Sequence, residues 1–258
     1  MHSKYQRFQE TLLRDLRAIF RLLRVGLHVL WATVLVSVVF PALGQYQRDR
    51  LIQRWAKQLL DMLSIEWLAE GEAMEVGLCV ANHISWLDII VITASMPSTF
   101  LAKEEVRRWP LIGWISAQIG TCYVQRGSRM AAYRSADTMT SLLQTGRRVV
   151  VFPEGTSSDG RDVLPFHSAL MQSAINARVP LQPMALCYAC AGGFSDAAAY
   201  YGNTSLAQSL WRIARTPALQ AHLLLLSPMD TQGHDRRALS THARAHIRQT
   251  ILETSGTV

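Results

Sequence analysis

Acidic residues are scarce in this chain: 19 Asp and Glu stand against 26 Lys and Arg in 258 residues, a net charge of +7. Charge of either sign is sparse, at 17%, while 49% of residues are hydrophobic. Cysteine is sparser still. Cys79, Cys122, Cys187 and Cys190 include one C-x-x-C pair, with no second pair and no adjacent histidine. A zinc or redox site therefore gives way to small buried residues, and free thiols suit a reducing compartment. No internal repeat and no low-complexity linker interrupts the chain. Its length suits one large domain, or a domain with an appendage.

Charge is missing altogether from Val25 to Leu43, nineteen residues at the lower limit for a bilayer span. No small-x-small cleavage site follows, which disfavours a signal peptide; a buried core helix is the other soluble alternative. Ahead of this run, Arg14, Arg17, Arg21 and Arg24 recur at helical spacing beside Leu12, Leu13, Leu16, Ile19, Phe20 and Leu23. Beyond it the chain is basic again, at Arg48, Arg50, Arg54 and Lys57. Positive charge on both flanks specifies no orientation. The favoured expectation is a helical anchor over residues 1–63, a hairpin lying in the cytoplasmic leaflet of the inner membrane with arginines on anionic headgroups. A single true span is the alternative. Much of the excess positive charge sits before residue 58 rather than over the α/β domain, which also argues against a nucleic-acid partner.

From residue 64 to 258 short apolar runs alternate with helical stretches. Strands are expected at 65–68, 78–81, 99–102, 121–124, 148–152, 181–187 and 222–226. Helices are expected at 86–94, 106–118, 129–143, 168–177, 206–213 and 236–252. The alternation predicts an α/β domain whose mixed, largely parallel sheet is flanked by helices.

Chemistry gathers at a few places. His83 and Asp88 lie five apart in Asn82-His83-Ile84-Ser85-Trp86-Leu87-Asp88. On one continuous helix they would point about 140° apart. They meet only if a strand ends at His83 and a helix begins near Ser85 or Trp86. Asp88 would then hold one ring nitrogen while the other faces a substrate hydroxyl, a base and orienter with no nucleophile of their own. The alternative is a surface histidine beside a helix-capping aspartate. Arg126 follows a short strand, either to grip a phosphate or as an exposed strand-end cation. Glu154, Gly155 and Thr156 follow the strong 148–152 strand, where α/β sheets place ligands, or form a polar turn. Pro180 and Pro183 bracket the start of the next strand, an arrangement that usually fixes a loop.

Taken in order, His83-x4-Asp88, Gly120-x5-Arg126, Phe152-Pro153-Glu154-Gly155-Thr156 and Val179-Pro180-x-x-Pro183 resemble the four blocks of the glycerolipid acyltransferase family, over roughly residues 75–190. The resemblance implies an O-acyltransferase. His83 would take the proton of a lysolipid hydroxyl and Asp88 would orient it. Arg126 would bind the anionic head group, Glu154, Gly155 and Thr156 would help position the acceptor, and Pro183 would shape the pocket wall. The acyl donor would be acyl-CoA or acyl-carrier protein as a substrate, with no bound cofactor and no metal. Backbone N–H groups after His83 are candidates for an oxyanion site. The first expected acceptor is 1-acyl-sn-glycerol-3-phosphate. Two departures bear on it. Ser157 stands where the family often has arginine, and a Phe-Lys-x-Gly pattern reads Phe166-His167-Ser168-Ala169. The 156–166 stretch also resembles the branch that acylates lyso-ornithine lipid, the alternative acceptor. A non-catalytic membrane lipid-binding protein is the remote one.

Overall fold

The computed structural model describes residues 2–124 and 129–255. Among these, eight strands form one sheet: β1 (Ile65–Glu70), β2 (Gly77–Ala81), β3 (Thr99–Lys103), β4 (Cys122–Val124), β5 (Arg148–Val151), β6 (Leu181–Cys190), β7 (Gly193–Phe194) and β8 (Leu219–Leu225). Their order is β1-β8-β6-β2-β5-β3-β4, with β7 on the end of β6. The run from β6 to β4 is parallel, while β8 meets β6 antiparallel and pairs β1 in parallel. The sheet is thus mixed and largely parallel, as the alternation of apolar runs and helices predicts.

The strand at the centre explains why both faces are covered. All five residues of β2 are buried, the unbroken apolar pattern of a strand roofed on both sides. Alternation then divides its side chains. Cys79 and Ala81 join Val150, Met184 and Leu186 in one core, and Leu78 and Val80 join Val149, Val151 and Leu181 in the other. The first core is closed by α2 (Gln45–Leu63), α3 (Leu87–Ser95) and α8 (Leu206–Arg215), the second by α6 (Arg129–Gln144), α7 (Met171–Ala177) and α9 (Arg236–Ser255).

The N-terminal helix α1 (His2–Val34) passes through a π turn at Leu35–Val39 and a 3-10 turn at Phe40–Ala42 before the chain reverses into α2. Its inner face carries Ala18, Val25, His28 and Ala32, all buried. A reciprocal clasp joins it to α2: His28 Nε2 donates to the Trp55 carbonyl at 3.1 Å, and Trp55 Nε1 to the His28 carbonyl at 3.2 Å, the rings stacked 5.0 Å apart. Further back, Arg21 donates to the Ala214 carbonyl at 2.8 Å and Asp15 pairs with Arg215 at 2.7 Å, so α1 also lies along α8. The arginine stripe is therefore divided. Arg14, Arg17 and Arg24 stay exposed, while Arg21 is drawn into the fold. Leu59, Leu60 and Leu63 of α2 sit in the first core beside Ile65, so this half of the N-terminal segment packs as part of the α/β body.

Candidate active site

The polypeptide leaves β2 at Ala81 and turns before α3, and that turn builds the site. Asn82 anchors it. Its buried amide donates to the Leu186 carbonyl at 2.9 Å and accepts from the Leu186 N–H at 2.8 Å, binding the end of β2 to β6. His83 comes next, its ring stacked 4.1 Å from that of Phe152 at the end of β5. The chain re-enters a helix at Leu87, which places Asp88 in the first turn of α3. There it faces back toward His83, and Nδ1 lies 2.8 Å from Asp88 Oδ2. A continuous helix would have separated them; the turn brings them together.

Asp88 is wholly buried and fully partnered. Its Oδ2 also accepts from the N–H groups of Ile84, at 2.7 Å, and Ser85, at 2.9 Å. Its Oδ1 accepts from the Tyr188 hydroxyl at 2.7 Å. A carboxylate taking four donors selects the imidazole tautomer with the proton on Nδ1. Nε2 is then the basic nitrogen of a side chain that lines the cleft. The same contacts engage Ile84 N–H and Ser85 N–H, which removes those two groups as donors to an oxyanion.

Glu154 stands behind the turn. Both of its oxygens accept backbone N–H groups, Oε1 from His83 at 2.8 Å and Oε2 from Leu164 at 3.2 Å. Burial raises its pKa to about 7, against the lowering effect of those two hydrogen bonds and with the nearby Asp88 charge adding to the rise. Its observed contacts thus support the backbone of the histidine turn. Ser158 reinforces this by donating its N–H to the His83 carbonyl at 2.9 Å.

The other expected site residues are distributed unevenly. Gly155, at φ 74, and Thr156 line the cleft with His83. Ser157 lines it too, but its hydroxyl donates to the Tyr200 carbonyl. Pro183 lies buried inside β6, opposite Val80 of β2, and is not among the residues that line the cleft. Arg126 lies outside the described residues. No metal-binding cluster of His, Cys, Asp and Glu occurs among the described residues. Tyr188 and Asn82 carry no motif of their own. The one signal for Tyr188 is a tyrosine in an apolar strand, because a buried phenol needs a partner for its hydroxyl.

The cleft itself has a volume of about 1270 Å3 and is mainly apolar. Val25 and Val29 of α1, Ile52 and Trp55 of α2, and Phe100, Trp109 and Ile112 are among the side chains that line it. An imidazole supported by a buried carboxylate, at one point of an apolar trough, can remove a proton from an amphiphile's hydroxyl while its chains lie among these side chains.

Comparison with known proteins agrees with that chemistry. Residues 69–187 match the acyltransferase family. The lyso-ornithine lipid O-acyltransferase of Pseudomonas aeruginosa is 38% identical over 212 residues, 81% of each chain. The 1-acyl-sn-glycerol-3-phosphate acyltransferase of Neisseria meningitidis is 35% identical, over 68% of this chain and 69% of its own. The crystal structure of the 1-acyl-sn-glycerophosphate acyltransferase PlsC from Thermotoga maritima shares the fold, with a TM-score of 0.63 at 22% identity, covering 90% of this chain and 97% of that one. With its histidine and aspartate joined at the end of β2, and with relatives at this identity over most of its length, this chain belongs to the acyltransferase family.

Proposed function

We propose that the enzyme transfers a fatty acyl group from a thioester, acyl-CoA or acyl-carrier protein, to the free hydroxyl of a lysolipid, with His83 as general base. The observation that carries this reading is the 2.8 Å contact from His83 Nδ1 to the buried Asp88, which leaves Nε2 for the cleft. As the hydroxyl oxygen attacks the thioester carbonyl, its proton passes to Nε2 and the imidazolium is stabilised by Asp88. Collapse of the tetrahedral intermediate breaks the C–S bond. The thiolate leaves with the proton from Nε2, and an ester and a free thiol result. In this scheme the transfer is direct, without an acyl-enzyme.

The acceptor we put first is lyso-ornithine lipid. The Pseudomonas relative supports it, and so does Ser157, which stands where the resembled family often has arginine and directs its hydroxyl to Tyr200. Among the described residues, the cations lining the cleft are Arg147 and Arg148. They stand at the start of β5, the opposite end from His83, and Arg148 donates to the Met74 and Pro97 carbonyls. Lysophosphatidate is the second reading, supported by the Neisseria relative and by Arg126 in the arginine block. We place the enzyme at the cytoplasmic face of the inner membrane. Gln9–Ala42 is long and apolar enough to span a bilayer, with 22% of its most apolar window buried. The contacts from Asp15, Arg21 and His28 to the body favour a helix lying in one leaflet over a span.

The test is acyl transfer in vesicles with each lysolipid and each donor. The wild type should form ornithine lipid faster than phosphatidate, and His83→Ala should form neither while remaining in the membrane. Phosphatidate as the faster product would overturn the first acceptor; an active His83→Ala would overturn the base.

A further inference from the structure

Two elements that line the cleft also expose apolar side chains. The helix α1, whose Val25 and Val29 line it, leaves Phe20, Leu23, Leu27 and Trp31 each more than half exposed. The second is the turn between α4 (Glu104–Arg107) and α5 (Ile112–Gln118), reading Arg107-Arg108-Trp109-Pro110-Leu111-Ile112-Gly113-Trp114, whose Trp109 and Ile112 line the cleft. Here Trp109, Ile112 and Trp114 are 38%, 39% and 41% exposed, beside two exposed arginines.

The turn is held in that form. Leu111 adopts φ 63 and ψ -55, a positive-φ backbone that a leucine rarely takes. Gly113 is pressed so closely on the Arg107 carbonyl that a Cβ would collide with it. The Tyr123 hydroxyl donates to the Gly113 carbonyl at 3.1 Å. Arg107 lies 3.6 Å from Glu104 and over the Tyr123 ring, while Arg108 is exposed and has no such partner among the described residues. A braced turn presenting tryptophan next to arginine has the composition of a bilayer interface, where indole rings sit at headgroup depth and guanidinium groups meet phosphates.

We propose that this turn is a second contact with an anionic leaflet, and that together with the outward face of α1 it brackets the opening through which a lipid reaches His83. The proposal rests on the lipid-acceptor reading above for its purpose, but not for its test. Two separate apolar surfaces facing one leaflet would keep the mouth of the cleft against the bilayer. The acceptor's chains could then pass from lipid to cleft without crossing water.

The test uses the full chain in vesicles of phosphatidylethanolamine and phosphatidylglycerol. Cys122 and Cys190 are replaced by serine, and one environment-sensitive fluorophore is attached at Trp114→Cys, at Leu23→Cys on α1, or at Gln249→Cys on α9. Quenching by nitroxide-labelled lipid is expected at 114 and 23 and not at 249. A label at 114 that behaves like the one at 249, while 23 is quenched, would overturn the proposal. It would leave the turn facing water or a second copy of the chain. Trp114 does not line the cleft, so Trp114→Gln should keep turnover on detergent-dispersed lysolipid and raise KM about fivefold for vesicle-borne lysolipid. Trp114→Phe should restore it, and an unchanged vesicle KM in Trp114→Gln would count against the proposal. Quenching at 114 in a protein that acylates no lysolipid would keep the surface and remove the functional reading.

Discussion

The hydroxyl of Tyr188 donates a 2.7 Å hydrogen bond to Oδ1 of Asp88, a hundred residues away in sequence and buried with it between β6 and α3. The tyrosine's own pKa is pushed well above its ordinary value, by burial first and then by the Asp88 charge. It is therefore a fixed donor to the carboxylate across the working pH range.

Removing that donor should act through Asp88 on His83. In Tyr188→Phe the buried Oδ1 loses its partner, at about 1–3 kcal/mol of stability. The carboxylate then holds the His83 ring less firmly in place. A roughly tenfold loss of kcat with little change in KM is expected. Cys187 also faces this cluster, so the rate is best compared with that of Cys187→Ser, where no loss is expected. An unchanged kcat in Tyr188→Phe would assign the tyrosine to packing alone.

Asp88→Asn should be more severe than Tyr188→Phe. An amide cannot accept from Nδ1–H, Ile84 N–H and Ser85 N–H as a carboxylate does, and the favoured tautomer is lost. A fall of about 10³–10⁴ in kcat is expected, on the scale of other carboxylate-supported histidine bases. Thermal unfolding of the same sample separates this from simple collapse of the α3 turn.

Glu154 predicts a pH dependence of stability. Its pKa is raised from 4.5 to about 7 in the folded protein. As pH rises through this interval the unfolded chain releases the proton first, so the folded state loses stability from about pH 4.5 to 7 and the full cost is present above. By linkage this amounts to up to about 3 kcal/mol. Chemical denaturation from pH 5 to 8 should show the decline in the wild type and a flatter profile in Glu154→Gln. Equal slopes would place the ionisation elsewhere.

Asn82→Ala should destabilise the fold by about 2–4 kcal/mol, because both the N–H and the carbonyl of Leu186 lose their buried partner. Activity should fall further than stability at temperatures where the protein remains folded, since His83 is the next residue. A variant with wild-type melting would show that water replaces the amide.

Much of this architecture can be read along the chain. The β-branched run at Arg148–Val151 and the apolar Gly77–Ala81 form adjacent central strands, and the helical periodicity of 206–213 and 236–252 becomes α8 and α9. Differences arise where local pattern is weak. The 106–118 stretch divides into α4 and α5 because Pro110 and the positive-φ Leu111 break it. β6 continues past Cys187 to Cys190 because β8 and β7 pair with its end, contacts that no local signal announces. Glu154 and Pro183 stand in recognisable motifs, yet their neighbours decide what they touch: Glu154 supports the His83 backbone, and Pro183 lies inside the sheet.

By itself the sequence determined the alternation of strands and helices, the basic apolar N-terminus and the short spacing of His83 and Asp88, because these depend on side-chain period and local backbone preference. Only the tertiary structure decided that Asp88 is buried under Tyr188, that Asn82 binds β2 to β6, and that α1 lies along α8 above an apolar cleft. Each of those facts is a meeting of residues far apart in the chain. Their hydrogen-bonding groups find partners only after the sheet has assembled and water has been excluded from between its layers.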